Sequence, residues 1–134
     1  MSRPATIGVA LAVLALSACG GGGTLSKKDL RKEFEAIQSL AAEGALVADG
    51  VADGRTTETF VSVHARYLSE AAGQIETDVS AADGPSERRS AERLASLVSQ
   101  DLDELHREPG DRRLAARLRE RLELYAAAAK THAR

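Results

Sequence analysis

The chain is short of the residues from which compact chemical sites are most simply built. Its 134 residues include one cysteine, one methionine, three prolines and no tryptophan. Aromatic side chains amount to 3%, namely Phe34, Phe60, Tyr67 and Tyr125. A single cysteine, Cys19, excludes an internal disulfide, a multi-cysteine zinc site and haem attachment through C-x-x-C-H. No glycine-rich phosphate loop, nucleophile elbow or zinc-protease motif occurs. Eighteen basic residues stand against twenty acidic ones, for a net charge of −2, which argues against a simple cationic nucleic-acid binder. An enzyme is disfavoured by these absences, and no cofactor is implied.

The one long apolar run lies near the beginning. Ile7 to Leu16 (IGVALAVLAL) follows a short segment carrying Arg3. A bilayer core of about 30 Å needs roughly 20 apolar helical residues, so this run is too short for an ordinary span and has the length of a signal-peptide h-region. It leads into Leu16-Ser17-Ala18-Cys19, followed by Gly20-Gly21-Gly22-Gly23. An aliphatic residue and two small ones before the only cysteine resemble the lipobox of bacterial lipoproteins. The resemblance implies residues 1–18 as a cleaved signal peptide, a diacylglyceryl thioether on Cys19, acylation of the new amino terminus, and residues 19–25 as lipidated cysteine and tether. It places the remaining domain outside the cytoplasm, anchored to the cell membrane or the outer membrane through the lipid. Ordinary signal cleavage, with Ala15 and Ser17 at its −3 and −1 positions, is the alternative, and it would release a soluble domain. Beyond the anchor, the likeness to small helical lipoproteins is one of style.

Residues 26–134 read as an all-α domain of four amphipathic helices, with no period-2 run long enough for a strand. The first spans about Ser26 to Ala48 and carries Leu30, Phe34, Ile37, Ala41 and Ala45 on one stripe, with Ser26 and Asp29 spaced as a capping box. Asp49-Gly50 and Asp53-Gly54 are expected to break it. The second begins near Thr56 or Thr57, and its expected apolar face is Phe60, His64, Tyr67, Ala71 and Ile75. Asp83-Gly84-Pro85 separates it from a third helix bearing Ala91, Leu94, Val98, Leu102 and Leu105, which ends at Pro109-Gly110. Asp111 caps a fourth with Leu114, Leu118, Leu122, Tyr125 and Ala129. Short connections favour antiparallel neighbours, hence an up-down four-helix bundle. Small residues, Ala42, Ala72, Ala95 and the run Ala126 to Ala129, favour close helix approach.

Candidate functional residues are few. Cys19 to Gly110 holds 10 basic and 17 acidic residues, whereas Asp111 to Arg134 holds 7 and 3. The basic fourth helix is expected to lie beside acidic neighbours, with Arg113, Arg117 and Arg121 as an exposed stripe of weak ion pairs. Lys27, Lys28, Arg31 and Lys32 crowd the start of the first helix, where cations oppose the macrodipole by about 0.3–1 kcal/mol each. A glycine-rich tether of roughly 13 Å keeps this end near the lipid headgroups. Lys130 and Arg134, from the end of the fourth helix, are expected there too. These four N-terminal cations are therefore candidates for contact with an anionic membrane surface, at about 1 kcal/mol per charge. His64, on an apolar stripe, reads first as a hydrogen-bonded core or boundary histidine, and it is the candidate ligand-binding residue for a haem or metal alternative.

Other acid and histidine patterns are weaker. Asp103-x-x-His106 occurs once, where a di-metal bundle needs two such motifs and two further glutamates. Asp49 to Gly54 matches a calcium loop only in part, because Val51 and Phe60 occupy ligand positions. Glu33, Glu35, Glu43, Asp101, Asp103 and Glu104 read as acids on solvated faces. The leading expectation is a membrane-anchored helical lipoprotein that acts by contact with an envelope protein.

Overall fold

The computed structural model describes residues 25–82 and 86–134. The expected signal segment, Cys19, the tether as far as residue 24 and the Asp83-Gly84-Pro85 turn lie outside the described residues. Four helices follow in order: α1 (Lys27–Ala52), α2 (Glu58–Ser80), α3 (Arg88–Arg107) and α4 (Arg112–His132). Among the described residues there is no strand, and no helix is long and apolar enough to cross a membrane.

Each well-defined start has a local chemical cause. The Ser26 hydroxyl oxygen accepts from the Asp29 amide at 3.1 Å and donates its own hydrogen to the Asp29 carboxylate. Thr57 accepts from the Phe60 amide at 3.3 Å, and Asp111 accepts from the Leu114 amide at 2.9 Å. These contacts satisfy amides that the first helical turn leaves without intrahelical partners. α3 starts without a side-chain cap, but Arg88 reaches back to the Val79 and Ser80 carbonyls and closes the end of α2.

α1 runs one turn beyond the expected stop, through Asp49-Gly50 to Ala52. Gly50 costs about 1 kcal/mol relative to alanine in a helix, but Val47, Ala48 and Val51 on the same turns are buried and offset it. The break comes at Asp53-Gly54. Gly54 has φ of 66°, its amide bonds the Val51 carbonyl at 3.0 Å, and the Arg55 amide bonds Gly50 at 2.8 Å. That pair of bonds is a Schellman motif, which needs the left-handed residue glycine supplies.

The helices form an antiparallel four-helix bundle. α1 lies along α4, with Phe34 beside His132 at one end and Asp49 beside Arg119 towards the other. α2 lies along α3, where the Ser69 hydroxyl donates to the Ser99 carbonyl at 2.9 Å and the Ser99 hydroxyl returns a bond to the Ser69 carbonyl at 3.0 Å. Those two pairs are the tight seams. α1 also touches α3 across the bundle, while among the described residues α2 and α4 do not meet.

The core follows the expected stripes of α1, α3 and α4 but not that of α2. Leu30, Phe34, Ile37, Ala41 and Ala45 are buried on α1, as are Val98, Leu102 and Leu105 on α3 and Leu118, Leu122 and Ala129 on α4. Leu94, Leu114 and Tyr125 pack at the margin. On α2 the buried residues are Val61, Ala65, Leu68, Ala72 and Val79. Phe60 and Tyr67 are instead 52% and 66% exposed, and of the expected face only Ile75 packs on the core, at its margin. The correction has a steric reason. Ala65 and Ala72 let α2 lie close along α3, whose Ala91 and Ala95 are buried too, and aromatic rings at those positions would hold the helices apart.

Two helical glycines separate packing from propensity. A Cβ at Gly44 falls 2.6 Å from Leu102 Cδ2 and 3.3 Å from Leu122 Cδ1. One at Gly73 meets only Ser99 Oγ, at an ordinary 3.5 Å. Gly44→Val is expected to destabilise the bundle by roughly 2–3 kcal/mol through overpacking. Gly73→Ala is expected to stabilise it by about 0.5–1 kcal/mol. Urea denaturation followed by circular dichroism checks both signs.

Candidate functional site

The cations at the start of α1 meet the end of α4. Lys27, Lys28 and Arg31 surround a cavity of about 440 Å³ together with His132 and Arg134. Its base is apolar, formed by Leu30 and Phe34, and among the described residues Glu87 contributes the one side-chain carboxylate of the lining. The Phe34 ring is buried and stacks on the His132 imidazole, with centroids 4.6 Å apart and an interplanar angle of 12°. Lys32, the fourth expected cation, is exposed and does not line the cavity. Among the described residues, Lys27, Lys28, Arg31 and Arg134 form no ion pair. The side of this end nearer α2 is acidic. Burial of Glu33, reinforced by Asp78 and Asp29, raises its carboxyl above the usual range.

His64 is a hydrogen-bonded boundary residue and does not lie on the buried face of α2. It is half-exposed, and its Nε2 lies 2.8 Å from Glu43 Oε1 on α1. The ring is stacked between Phe60 and Tyr67 at centroid distances of 5.2 and 6.4 Å. Among the described residues no three His, Cys, Asp or Glu side chains gather as a metal ion requires. Next to His64, Val63 is 67% exposed and Leu46 of α1 is 74% exposed. Leu46 stands between two grooves. One, of about 210 Å³, runs towards Phe60, Gly50 and Thr56, and the other, of about 440 Å³, towards Ala42, Arg119 and Glu123. The outer face of α1 and α2 therefore carries an apolar ridge, with His64 as a hydrogen-bonded boundary residue within it.

The remaining histidine and acid patterns are structural. His106 Nδ1 lies 2.8 Å from the Ser62 carbonyl, which only accepts, so Nδ1 carries the hydrogen and ties α3 to α2. Asp103 pairs with Arg107 one turn away and not with His106.

Asp101 is the feature that reading the acids as solvated misses. It is fully buried, with one carboxylate oxygen paired to Arg121 and the other, Oδ2, without a hydrogen-bond partner. Burial is the main influence and pushes its carboxyl above the usual aspartate range, with the Arg121 charge pulling the other way and Glu104 adding to the rise. Arg121 is thus a half-exposed lid over a buried acid, while Arg113 and Arg117 remain exposed. Arg119 reaches Asp49 at 2.9 Å, a pair also absent from the expectation. A signal for Asp101 was present, since it lies in helical phase with Val98, Leu102 and Leu105.

Folded Asp101 binds its proton more tightly than the unfolded chain does. Its contribution to stability is therefore fully present below the unfolded aspartate value of about 3.9 and is lost as pH rises through the raised folded value. Asp101→Asn removes this dependence. Urea melts should show the stability of the wild type relative to Asp101→Asn shifting in favour of the wild type from pH 7.5 to pH 4, and a pH-independent difference would refute the assignment.

Comparison with known proteins finds no family model, no curated protein and no solved structure that matches this chain significantly.

Proposed function

We propose that the chain is a lipid-anchored, extracytoplasmic helical lipoprotein that acts by protein contact, as an envelope adaptor or scaffold, with no catalysis of its own. One observation carries the contact reading. Two of the four aromatic residues in a chain so poor in them stand on the surface, Phe60 and Tyr67, beside the exposed Val63 and Leu46. Contiguous exposed apolar residues mark interaction sites more often than isolated ones do. The stacking of Phe60, His64 and Tyr67, with Glu43 holding the imidazole, pre-orders this ridge before any partner arrives. Pre-ordering lowers the entropy lost on binding.

The partner this surface fits is an amphipathic helix of an envelope protein, laid beside Leu46 with its apolar face on Phe60 and Val63. Anchoring in this reading comes from Cys19, on the strength of the h-region Ile7 to Leu16 and the Leu16-Ser17-Ala18-Cys19 sequence that follows it. The haem or metal alternative at His64 gains nothing from the geometry, because His64 Nε2 is engaged by Glu43 and among the described residues no donor set surrounds it.

A photo-crosslinking residue in place of Tyr67 or Val63, in intact cells, should capture one defined envelope protein that the same residue at Arg113 does not. Cys19→Ala should lower that capture at least about tenfold by removing the local concentration that anchoring provides. Phe60→Ser with Tyr67→Ser should abolish capture yet change stability by only about 0.5 kcal/mol per exposed site. Equal capture from the ridge and from Arg113, or none with expression and anchoring confirmed, would overturn the reading.

A further inference from the structure

We infer that the cavity between the start of α1 and the end of α4 is a binding site for the phosphodiester headgroup of an anionic phospholipid. Among the described residues its rim holds four cationic side chains, Lys27, Lys28, Arg31 and Arg134, against one side-chain carboxylate, Glu87. Local helix energetics do not account for the three on α1, since cations at a helix N-terminus are unfavourable. Internal pairing does not account for them either, because among the described residues they bond no acid. The nearest carboxylate on their own turn, Asp29, is held by the Ser26 hydroxyl. What remains unmatched is positive charge around a concave space.

The shape discriminates among anions. A site for a small free oxyanion is lined by donors throughout, whereas here the base is the hydrocarbon of Leu30 and the buried Phe34, braced by the stacked His132 ring. A phosphodiester that carries a glycerol backbone places its charged oxygens on the rim and its carbon chain on that base. Arginine and lysine together suit this role, the guanidinium fork of Arg31 or Arg134 by bidentate bonding and the lysines as mobile point charges. The choice of lipid over a soluble phosphate rests on the anchoring reading. Leu25 is six residues from Cys19, and six residues reach at most about 21 Å even when fully extended, so an acylated Cys19 keeps this mouth within reach of the headgroups.

The test uses the full chain, purified in a neutral detergent and titrated with dihexanoylphosphatidylglycerol, dihexanoylphosphatidylcholine or inorganic phosphate. Acetylation of lysines, read residue by residue by mass spectrometry, reports occupancy. Phosphatidylglycerol should protect Lys27 and Lys28 at least fivefold while leaving Lys32 and Lys130 unprotected. Arg31→Gln and Arg134→Gln should each weaken that protection about tenfold in apparent affinity, with unchanged circular dichroism, and Arg113→Gln should not. Equal protection by inorganic phosphate would overturn the lipid assignment in favour of a soluble anion. Equal protection by phosphatidylcholine, or uniform protection of all four lysines, would overturn the site. Intact mass of the same preparation shows separately whether Cys19 carries acyl chains, so a failed anchor and a failed pocket give different results.

Discussion

Close approach of helices through small side chains is the constraint on which the rest of this bundle depends. Along α2 and α3, Ala65, Ala72, Ala91 and Ala95 are all fully buried, and Ser69 and Ser99 exchange hydrogen bonds with each other's carbonyls. Along α1 and α4, Gly44 leaves room for Leu102 and Leu122, and Ala41, Ala45, Ala48, Ala115 and Ala129 form much of the contact. Alanine buries little area, so most of the hydrophobic stabilisation falls to a few larger side chains, each of which contributes about 1.5–3 kcal/mol. Phe34 is the only fully buried aromatic residue. Helices drawn this close have no room for more rings inside, and the remaining aromatic residues are displaced to the margin or the surface.

That constraint explains which parts of the architecture were legible in the sequence. Ser26, Thr57 and Asp111 announce helix starts because capping is a local hydrogen bond set by residue type and spacing. The stripes of α1, α3 and α4 are legible because their large apolar residues are the buried ones. α2 presents two adjacent stripes, one aromatic and one of valine, alanine and leucine. Hydrophobicity favours the first, but packing against α3 selects the second. Helix-turn competition at Gly50 is likewise decided by burial of Val47 and Val51, a tertiary effect that the dipeptide Asp49-Gly50 does not reveal.

The candidate site was half legible for the same reason. Clustering of Lys27, Lys28 and Arg31 is visible as sequence proximity, and an antiparallel bundle brings Arg134 to the same end. The cavity itself, with Phe34 as its base and Glu87 at its edge, depends on how three elements meet and has no signature along the chain. Asp101 shows the opposite failure. Its position in phase with leucines was readable, but acids are mostly exposed, and only the structure shows the Arg121 side chain closing over it.

The two surface features lie at different heights on the bundle, and their separation bears on the proposal of an anchored molecule. From Lys27 to Leu46 along α1 is about 29 Å of helix at 1.5 Å per residue. α2 returns antiparallel, so Phe60 belongs to the end remote from the tether and Tyr67 lies nearer the middle. If the cationic end rests on headgroups, the apolar ridge stands clear of them, well beyond the roughly 8 Å over which surface charge acts at physiological salt. Lipid contact and protein contact then do not compete for the same residues. A ridge of four exposed side chains is small for a stable interface, and on the proposed reading the local concentration that an anchor confers would make up for it. Orientation by the cationic end, as proposed, would add to that advantage, because a tethered domain that presents one face searches fewer poses than one that tumbles. On the proposed reading the two surfaces are complementary: one would fix how the domain stands, and the other would meet what comes to it.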